Sequence, residues 1–294
     1  MTDDIEQITI GDPLQVAVKS LLLADRFNWG ERTYLMGVLN VTPDSFSDGG
    51  EFDNIAVALA QANYLIESGA DIIDVGGQST RPNAAQISVE EELNRVLPII
   101  KQLRLLSSVP ISIDTTRALV AQKAVEAGAD LVNDISGGTF DPNMFSVVAQ
   151  LDVPIVLMHI RGTPQTMQQL TDYQDLIGEI YQFFQQQIAA ALSAGIKSSQ
   201  IIIDPGIGFA KTAAQNWEIL RQLPRFRALG VPILVGVSRK SFIGRLLHQP
   251  DPKERIWGTA AACCGAIAGG TDILRVHDVR EMHDVCRVAD AIWR

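Results

Sequence analysis

The sequence predicts an α/β fold, a closed (β/α)8 TIM barrel of eight parallel strands, and three observations support it. Eight short runs rich in aliphatic and β-branched residues recur along the chain. Segments with apolar residues at helical spacing lie between them. Each run ends in a polar residue, as expected where a barrel gathers the carboxyl ends of all its strands around one mouth. Eight strand-then-helix units in 294 residues suit such a closure.

The runs are YLMGVLNV (34–41), DIIDVG (71–76), ISID (111–114), LVNDI (131–135), PIVLMH (154–159), IIIDP (201–205), ILVGVS (233–238) and DILRVH (272–277). Helical periodicity is plain in NIAVALAQANYLIES ahead of the second run and AQNWEILRQL ahead of the seventh. SGADIIDV, AGADLVND and GGTDILRV form a weak internal repeat. Each sets a glycine where a left-handed helix cap is expected and an acid just before a strand. LDVP, LGVP and SSVP introduce strands by proline, which favours an extended chain after a helix. Residues 1–33 precede the eight units and are expected to form an N-terminal extension, a hairpin or plug across the barrel's bottom, within a single domain spanning 1–294. The main competing architecture is the doubly wound open sheet, which carries GxGxxG after its first strand. No run here is followed by that fingerprint or by GxxxxGK[ST].

With 47% of its residues hydrophobic, the chain can bury a large core. A formal net charge of -10 repels phosphate polymers, so no nucleic acid and no anionic membrane is expected as a partner. An anionic substrate then needs a local basic pocket. MTDDIEQITI has neither the cationic start nor the apolar stretch of a secretory signal, and a cytoplasmic location is expected. TAAACCGAIAGG is too short and too rich in glycine to span a bilayer and reads as a buried helix. Cys263, Cys264 and Cys286 are odd in number and two are neighbours, which suits buried structural thiols rather than a disulfide framework. The four histidines show no paired helical spacing for zinc.

The strand ends are Asn40, Asp74, Asp114, Asn133, His159, Asp204, Ser238 just ahead of Arg239 and Lys240, and the pair Arg275 and His277. Any one of these reads equally well as a solvated turn or helix cap, and Asp74 and Asp134 are read that way. As a set they lie in apolar runs, where an unpaired buried polar group costs roughly 2 kcal/mol or more. Asp114, Asn133 and Asp204 suit a flat heterocycle with adjacent N–H donors, since a carboxylate accepts two parallel hydrogen bonds. Lys240, Arg275, His277 and Asn40 suit a polyanion such as diphosphate, expected across the rim from the acids. Two polar loops, TPDSFSDGGEFD and GGQSTRPNAAQ, are long enough to close over a ligand.

NVTPDSFSDGG, DVGGQSTRP, SIDT, VNDISGG, DPGIGFAK, GVSRKSFIG and RVHDV follow one another in this order from about residue 29 onward. Together they resemble the dihydropteroate synthase family of pterin-binding barrels. The resemblance implies an enzyme of folate biosynthesis that condenses 6-hydroxymethyl-7,8-dihydropterin diphosphate with 4-aminobenzoate. It implies that Asp114, Asn133, Asp204 and Lys240 hold the pterin, with Met158 and Gly236 beside it. Asn40, Arg275 and His277 would hold the diphosphate with Mg²⁺, Asn40 being the metal ligand. Thr80, Arg81 and Pro82, with Phe46, Phe209 and Ser241, would form the aminobenzoate pocket. Asp48, Arg81, Lys240, Arg275 and His277 are the catalytic positions so implied. A homodimer through helices late in the barrel and binding of sulfonamide-like mimics are implied as well.

Two positions depart from the family's pattern: Gln78 stands where an acid is usual, and Ala210 where a glycine is. Because an arylamine is itself a fair nucleophile, no general base, covalent intermediate or essential thiol is expected. A pterin-dependent methyltransferase would share the ring-binding acids but has no use for Arg275, His277 and the STRP loop. A catalytically silent barrel is the alternative from a different class.

Overall fold

Strands β1 (Tyr34–Asn40), β2 (Ile72–Gly76), β3 (Ile111–Asp114), β4 (Leu131–Asp134), β5 (Ile155–Met158), β6 (Ile201–Asp204), β7 (Leu234–Val235) and β8 (Ile273–Val276) run parallel. They are hydrogen-bonded in the order 6-5-4-3-2-1-8-7. A parallel bridge between Ile203 and Ile233, with the Ile203 N–H donating to the Pro232 carbonyl at 3.0 Å, joins β6 to the approach to β7 and closes the ring. The computed structural model describes residues 27–42, 51–82 and 84–294. Around the ring lie α1 (Glu51–Glu67), α2 (Val89–Leu106), α3 (Ala118–Glu126), α4 (Met144–Leu151), α5 (Leu176–Ser193), α6 (Ala213–Gln222), α7 (Ser241–Leu247), α8 (Ile256–Ala268) and α9 (Val279–Trp293). Each predicted strand is present, shorter by a residue or more at one or both ends except in β3.

Strand alternation divides the core in two. Leu35, Ile73, Val75, Ile111, Ile113, Val132, Leu157, Ile203 and Leu274 point outward and pack with the helices in one buried cluster. Tyr34, Met36, Ile72, Leu131, Val156, Ile202, Leu234 and Ile273 point inward and fill the lumen's floor in another. Two residues further along, the inward positions are Asp74, Asp114, Asn133, Met158, Asp204, Gly236 and Arg275. An apolar floor under a mostly polar upper layer is thus written into most of the strands, β3 with its inward Ser112 being an exception.

Phe27 stacks on Trp29 at 5.2 Å between ring centroids and meets Tyr34 edge-on at 4.7 Å, beneath the barrel floor. The predicted N-terminal hairpin falls mostly on residues 1–26, outside the described residues.

The weak sequence repeat has a structural counterpart. Gly69, Gly128 and Gly270 adopt φ of +100°, +119° and +88° at helix ends, as the caps require. The acid that follows each one accepts a backbone N–H near the start of the preceding strand. Asp71 takes Leu35 at 2.9 Å, Asp130 takes Ile111 at 2.8 Å and Asp272 takes Ile233 at 2.9 Å. Side-chain carboxylates thereby satisfy strand-start donors that the ladder leaves open.

TAAACCGAIAGG lies largely in α8, whose Thr259, Ala262, Cys263, Ala266 and Ile267 are buried. All three cysteines are free; Cys263 and Cys286 are buried and Cys264 half-buried. Burial pushes the Cys286 thiol up to about 12, so it stays protonated at neutral pH. Among the described residues no helix is long and apolar enough to cross a membrane.

Asp130 also pairs with Arg104 at the barrel's lower rim, far along β4 from the mouth. Replacing Asp130 with Ala leaves the Ile111 N–H and the guanidinium without this acceptor. Urea denaturation should show a loss of about 1–3 kcal/mol, with steady-state turnover unchanged.

Candidate active site

Arg275 rises from β8 into the lumen and is held between two acids. Its Nε donates to Asp74 Oδ2 at 2.6 Å and its Nη2 to Asp114 Oδ2 at 2.9 Å. Asn133, on β4, donates through Nδ2 to the same Asp74 oxygen at 3.2 Å. Asp74 Oδ1, Asp114 Oδ1 and Ser112 Oγ are buried without a hydrogen-bond partner among the described residues. Such an orphaned acceptor is unfavourable unless a ligand or water meets it.

Burial raises the Asp114 carboxyl to about 7, against the opposing pull of Arg275 and with help from the charge of Asp74. Asp204 is raised to about 6 by burial, although the Gly206 N–H donates to its Oδ1 at 2.7 Å and Lys240 favours its charge. Lys240 is lowered to about 8 by burial, with Asp204 pulling the other way. Its ammonium lies 4.3 Å from the centroid of Phe209. Phe209 borders an apolar patch of Ile135, Met158, Ile160, Met167 and Ala210. Gly236 leaves room beside Arg275, since a Cβ there would stand 3.9 Å from the Arg275 Cβ.

The loop after β6 approaches Lys240 closely. Gly208 has φ +87°, and a Cβ on it would come within 3.1 Å of Lys240 Cδ. Behind the loop, the buried Lys211 ammonium donates to the Phe209 carbonyl at 2.8 Å and lies 3.0 Å from His159 Nδ1. The loop after β7 is braced in a similar way. Arg239 pairs with Asp278, its Nε donating to Oδ2 at 2.9 Å, and the Arg239 carbonyl accepts from Arg255 at 2.8 Å.

A family model described as "Pterin binding enzyme" matches residues 36–277. A dihydropteroate synthase of Synechocystis sp. is 60% identical over 292 residues, covering 99% of this chain and 100% of that protein. One from Bacillus subtilis is 47% identical over 265 residues, 90% of each chain. A Clostridium difficile dihydropteroate synthase, crystallised in the presence of pteroic acid, is 46% identical, with a TM-score of 0.87 over 91% of this chain and 99% of that one. The chain belongs to the dihydropteroate synthases of the pterin-binding enzyme family. As such it is a transferase.

Of the positions singled out for a dihydropteroate synthase site, Asp114, Asn133, Met158, Asp204, Gly236 and Arg275 occupy the upper layer of the lumen. Asn40 ends β1; a Cβ on Gly76 would stand 3.8 Å from Asn40 Oδ1 and 3.6 Å from Asp114 Oδ2. Lys240 and Ser241 sit at the start of α7, Ser241 exposed. Thr80, Arg81 and Pro82 lie on the loop after β2, Thr80 half-buried and the other two exposed. Phe46 and Asp48 lie outside the described residues.

Several expectations need correction. Asp74 is no helix cap: it is fully buried and joins Arg275 to Asn133. The acids and bases do not face one another across the rim, because Arg275 lies directly between Asp74 and Asp114. His277 is not a cation, since burial, with Arg275 close by, lowers it to about 3. Through Nδ1 it lies 3.0 Å from Ser238 Oγ. His159 points away from the lumen; Asp134 does so too, in keeping with its reading as a turn residue. His159 packs edge-on to Phe183 at 4.9 Å, and Asp134 accepts from the Ser136 and Gly138 N–H groups at 2.8 and 2.9 Å. Ser112 and Lys211 are the polar positions that the strand-end rule passed over. Inward parity, counting back by two from Asp114 and Gly76, would have found Ser112 and marked Asp74 as facing the lumen.

The departures have local answers. Gln78 Oε1 accepts the Ile87 N–H at 3.4 Å, a long bond that needs only an oxygen and no charge. Ala210 has φ +50°, a left-handed conformation that costs a side chain about 1–2 kcal/mol. Its methyl is fully buried against the apolar patch, which returns about 0.8 kcal/mol. Ala210→Gly removes both terms and should change stability by less than about 1 kcal/mol in urea denaturation. Ala210→Val should lose about 2 kcal/mol or more, because a branched side chain is strained there and overpacks the patch.

Proposed function

We propose that the chain condenses 6-hydroxymethyl-7,8-dihydropterin diphosphate with 4-aminobenzoate, giving 7,8-dihydropteroate and diphosphate. One observation carries this reading: a buried carboxylate, Asp114, keeps one oxygen without a partner among the described residues while Arg275, bound to its other oxygen, supplies a cation at the same mouth. A ring that donates N–H groups and carries an anionic arm satisfies both. The Xanthomonas albilineans synthase, solved with 7,8-dihydropteroate, is 41% identical over 89% of this chain and 94% of that one, at a TM-score of 0.81. A Yersinia pestis synthase solved with a sulfonamide drug is likewise 41% identical. These relatives support the same substrates here and a susceptibility to such drugs.

In this mechanism Asp114, Asn133 and Asp204 accept from and orient the ring, and Lys240 donates to it. Met158 and Phe209 lie against its faces. The C–O bond to diphosphate breaks, and positive charge develops on the exocyclic methylene. Asp114 and Asp204 stabilise that charge electrostatically in an enclosed mouth. Arg275 meets the negative charge of the departing diphosphate, and His277 offers it a neutral ring N–H. The arylamine nitrogen, held by Thr80, Arg81, Pro82, Phe46, Phe209 and Ser241, forms the new C–N bond and loses its proton to solvent. Asp48 is assigned a catalytic role from the family resemblance alone, and exclusion of water from the enclosed mouth protects the methylene from capture.

Magnesium fits this site only with substrate oxygens as further ligands. Among the described residues no group of three His, Cys, Asp or Glu side chains converges on a metal position. Asn40 offers one hard amide oxygen, which suits an ion that keeps waters and binds phosphate oxygens. Bound there, the ion would neutralise charge on the leaving diphosphate. The homodimer and the cytoplasmic location belong to the same reading. The dimer is supported by Leu246 on α7, Trp257 on α8 and Ile292 on α9, large apolar side chains all exposed in the single chain. Sedimentation equilibrium should give twice the monomer mass, and Trp257→Glu should give the monomer.

Purified protein with both substrates and Mg²⁺ should release diphosphate in proportion to dihydropteroate formed; no release would overturn the assignment. Calorimetry adds a pH test. The pKa of Asp114 is raised by burial, so the free site binds a proton below about 7 that the ring must displace. Pterin affinity should therefore be level above about pH 7 and fall as pH drops below it, by up to about tenfold per pH unit for this group.

A further inference from the structure

We infer that Asp74 is a positioning residue for this reaction: it touches no substrate and acts by holding Arg275 and Asn133 in register beneath the mouth. The inference rests on the function proposed above. Asp74 lies one inward position below Gly76 on β2 and is 0% exposed. One of its oxygens, Oδ2, accepts both Arg275 Nε at 2.6 Å and Asn133 Nδ2 at 3.2 Å. Arg275 comes from β8 and Asn133 from β4, strands that are not neighbours in the ring. A side chain in the lumen is the direct link between the residue assigned to the diphosphate and a residue assigned to the ring.

The geometry also shows why a charge is needed at Asp74. Gly236 offers Arg275 no side chain from the β7 side, so the two carboxylates restrain the guanidinium. Asp74 holds Nε from below while Asp114 holds Nη2 beside the ring pocket. The hydrogen bonds among the described residues thus use Nε and Nη2 and leave Nη1 for an anion. Without the charge of Asp74, Asp114 becomes the dominant partner. Arg275 is then drawn toward the ring-binding acid and away from the leaving group.

The test is a double-mutant cycle read by calorimetric binding of dihydropterin diphosphate and by steady-state kinetics. Asp74→Asn in the wild-type background should weaken pterin diphosphate binding about 30-fold or more, the loss expected when one partner of a buried, hydrogen-bonded charge pair is removed. It should also lower kcat, while KM for 4-aminobenzoate, whose pocket lies on the loops, stays within about threefold. In the Arg275→Met background the same change should cost less than about tenfold in binding, because the pairing it acts through is already gone. Equal factors in the two backgrounds would overturn the inference, as would a folded Asp74→Asn protein with wild-type binding and kcat. Should the single variant fail to fold, Asp74→Asn/Arg275→Met is compared with Arg275→Met alone. A difference under about tenfold supports the inference and a larger one overturns it. A wild-type protein that binds no pterin diphosphate overturns the proposed function and this inference together, whereas normal wild-type binding with uncoupled variants overturns only the inference.

Discussion

A guanidinium enclosed by a parallel barrel keeps its charge, so burying it is costly unless other charges answer it, and Arg275 is answered by Asp74 and Asp114 at 2.6 and 2.9 Å. The side chains around it, Asp74, Asp114, Asn133 and Asp204, are buried, and that fixes what the rest of the mouth can be. Asp114 and Asp204 are both pushed toward neutral pH by burial, and Lys240 is pushed down toward it. Groups so poised are sensitive to a ligand that brings its own donors and its own negative charge. A heterocycle with an anionic arm is such a ligand, and one site can grip the first part while destabilising the bond to the second.

Acids and bases are interleaved rather than segregated because the ring places them. Neighbouring strands contribute Asp114 and Asn133 in register, and β8 brings Arg275 beside β1 across from both. Arg275 is long enough to cross the lumen, so its head group lies among acids that its backbone does not adjoin. Acids and guanidinium therefore meet within one cluster, over the length of a side chain.

The loops that carry Phe209 and Lys240 are held from behind. Lys211 ties the first to the end of β5 through Phe209 and His159, and the Arg239–Asp278 pair with Arg255 ties the second to α8 and α9. Both loops contain a non-glycine residue at positive φ, Ala210 at +50° and Arg239 at +59°. Buried hydrogen bonds hold these conformations, which the chain would otherwise leave. The contact of Lys240 with the Phe209 ring joins the two braced loops at the mouth.

The order of the strands, the placement of the helices and the glycine caps at Gly69, Gly128 and Gly270 were legible in the sequence, because each depends on residues near one another along the chain. So was most of the mouth: Asp114, Asn133, Asp204 and Arg275 stand at ends of apolar runs, where a polar side chain has little local reason to be. Burial and partnership were not legible. Taking the last polar residue of each strand mixes inward and outward positions, so His159 was grouped with the site and Asp74 was set aside as a turn or cap. Nor does a single sequence show that His277 is neutral, or that Arg275 bridges β8 to β2 and β3. The sequence by itself determined the alternation of apolar and polar residues along each strand, since a period of two needs no partner to be defined. Only the tertiary structure decided which charges meet, because pairing and desolvation depend on distances across the lumen between residues 161 and 201 positions apart.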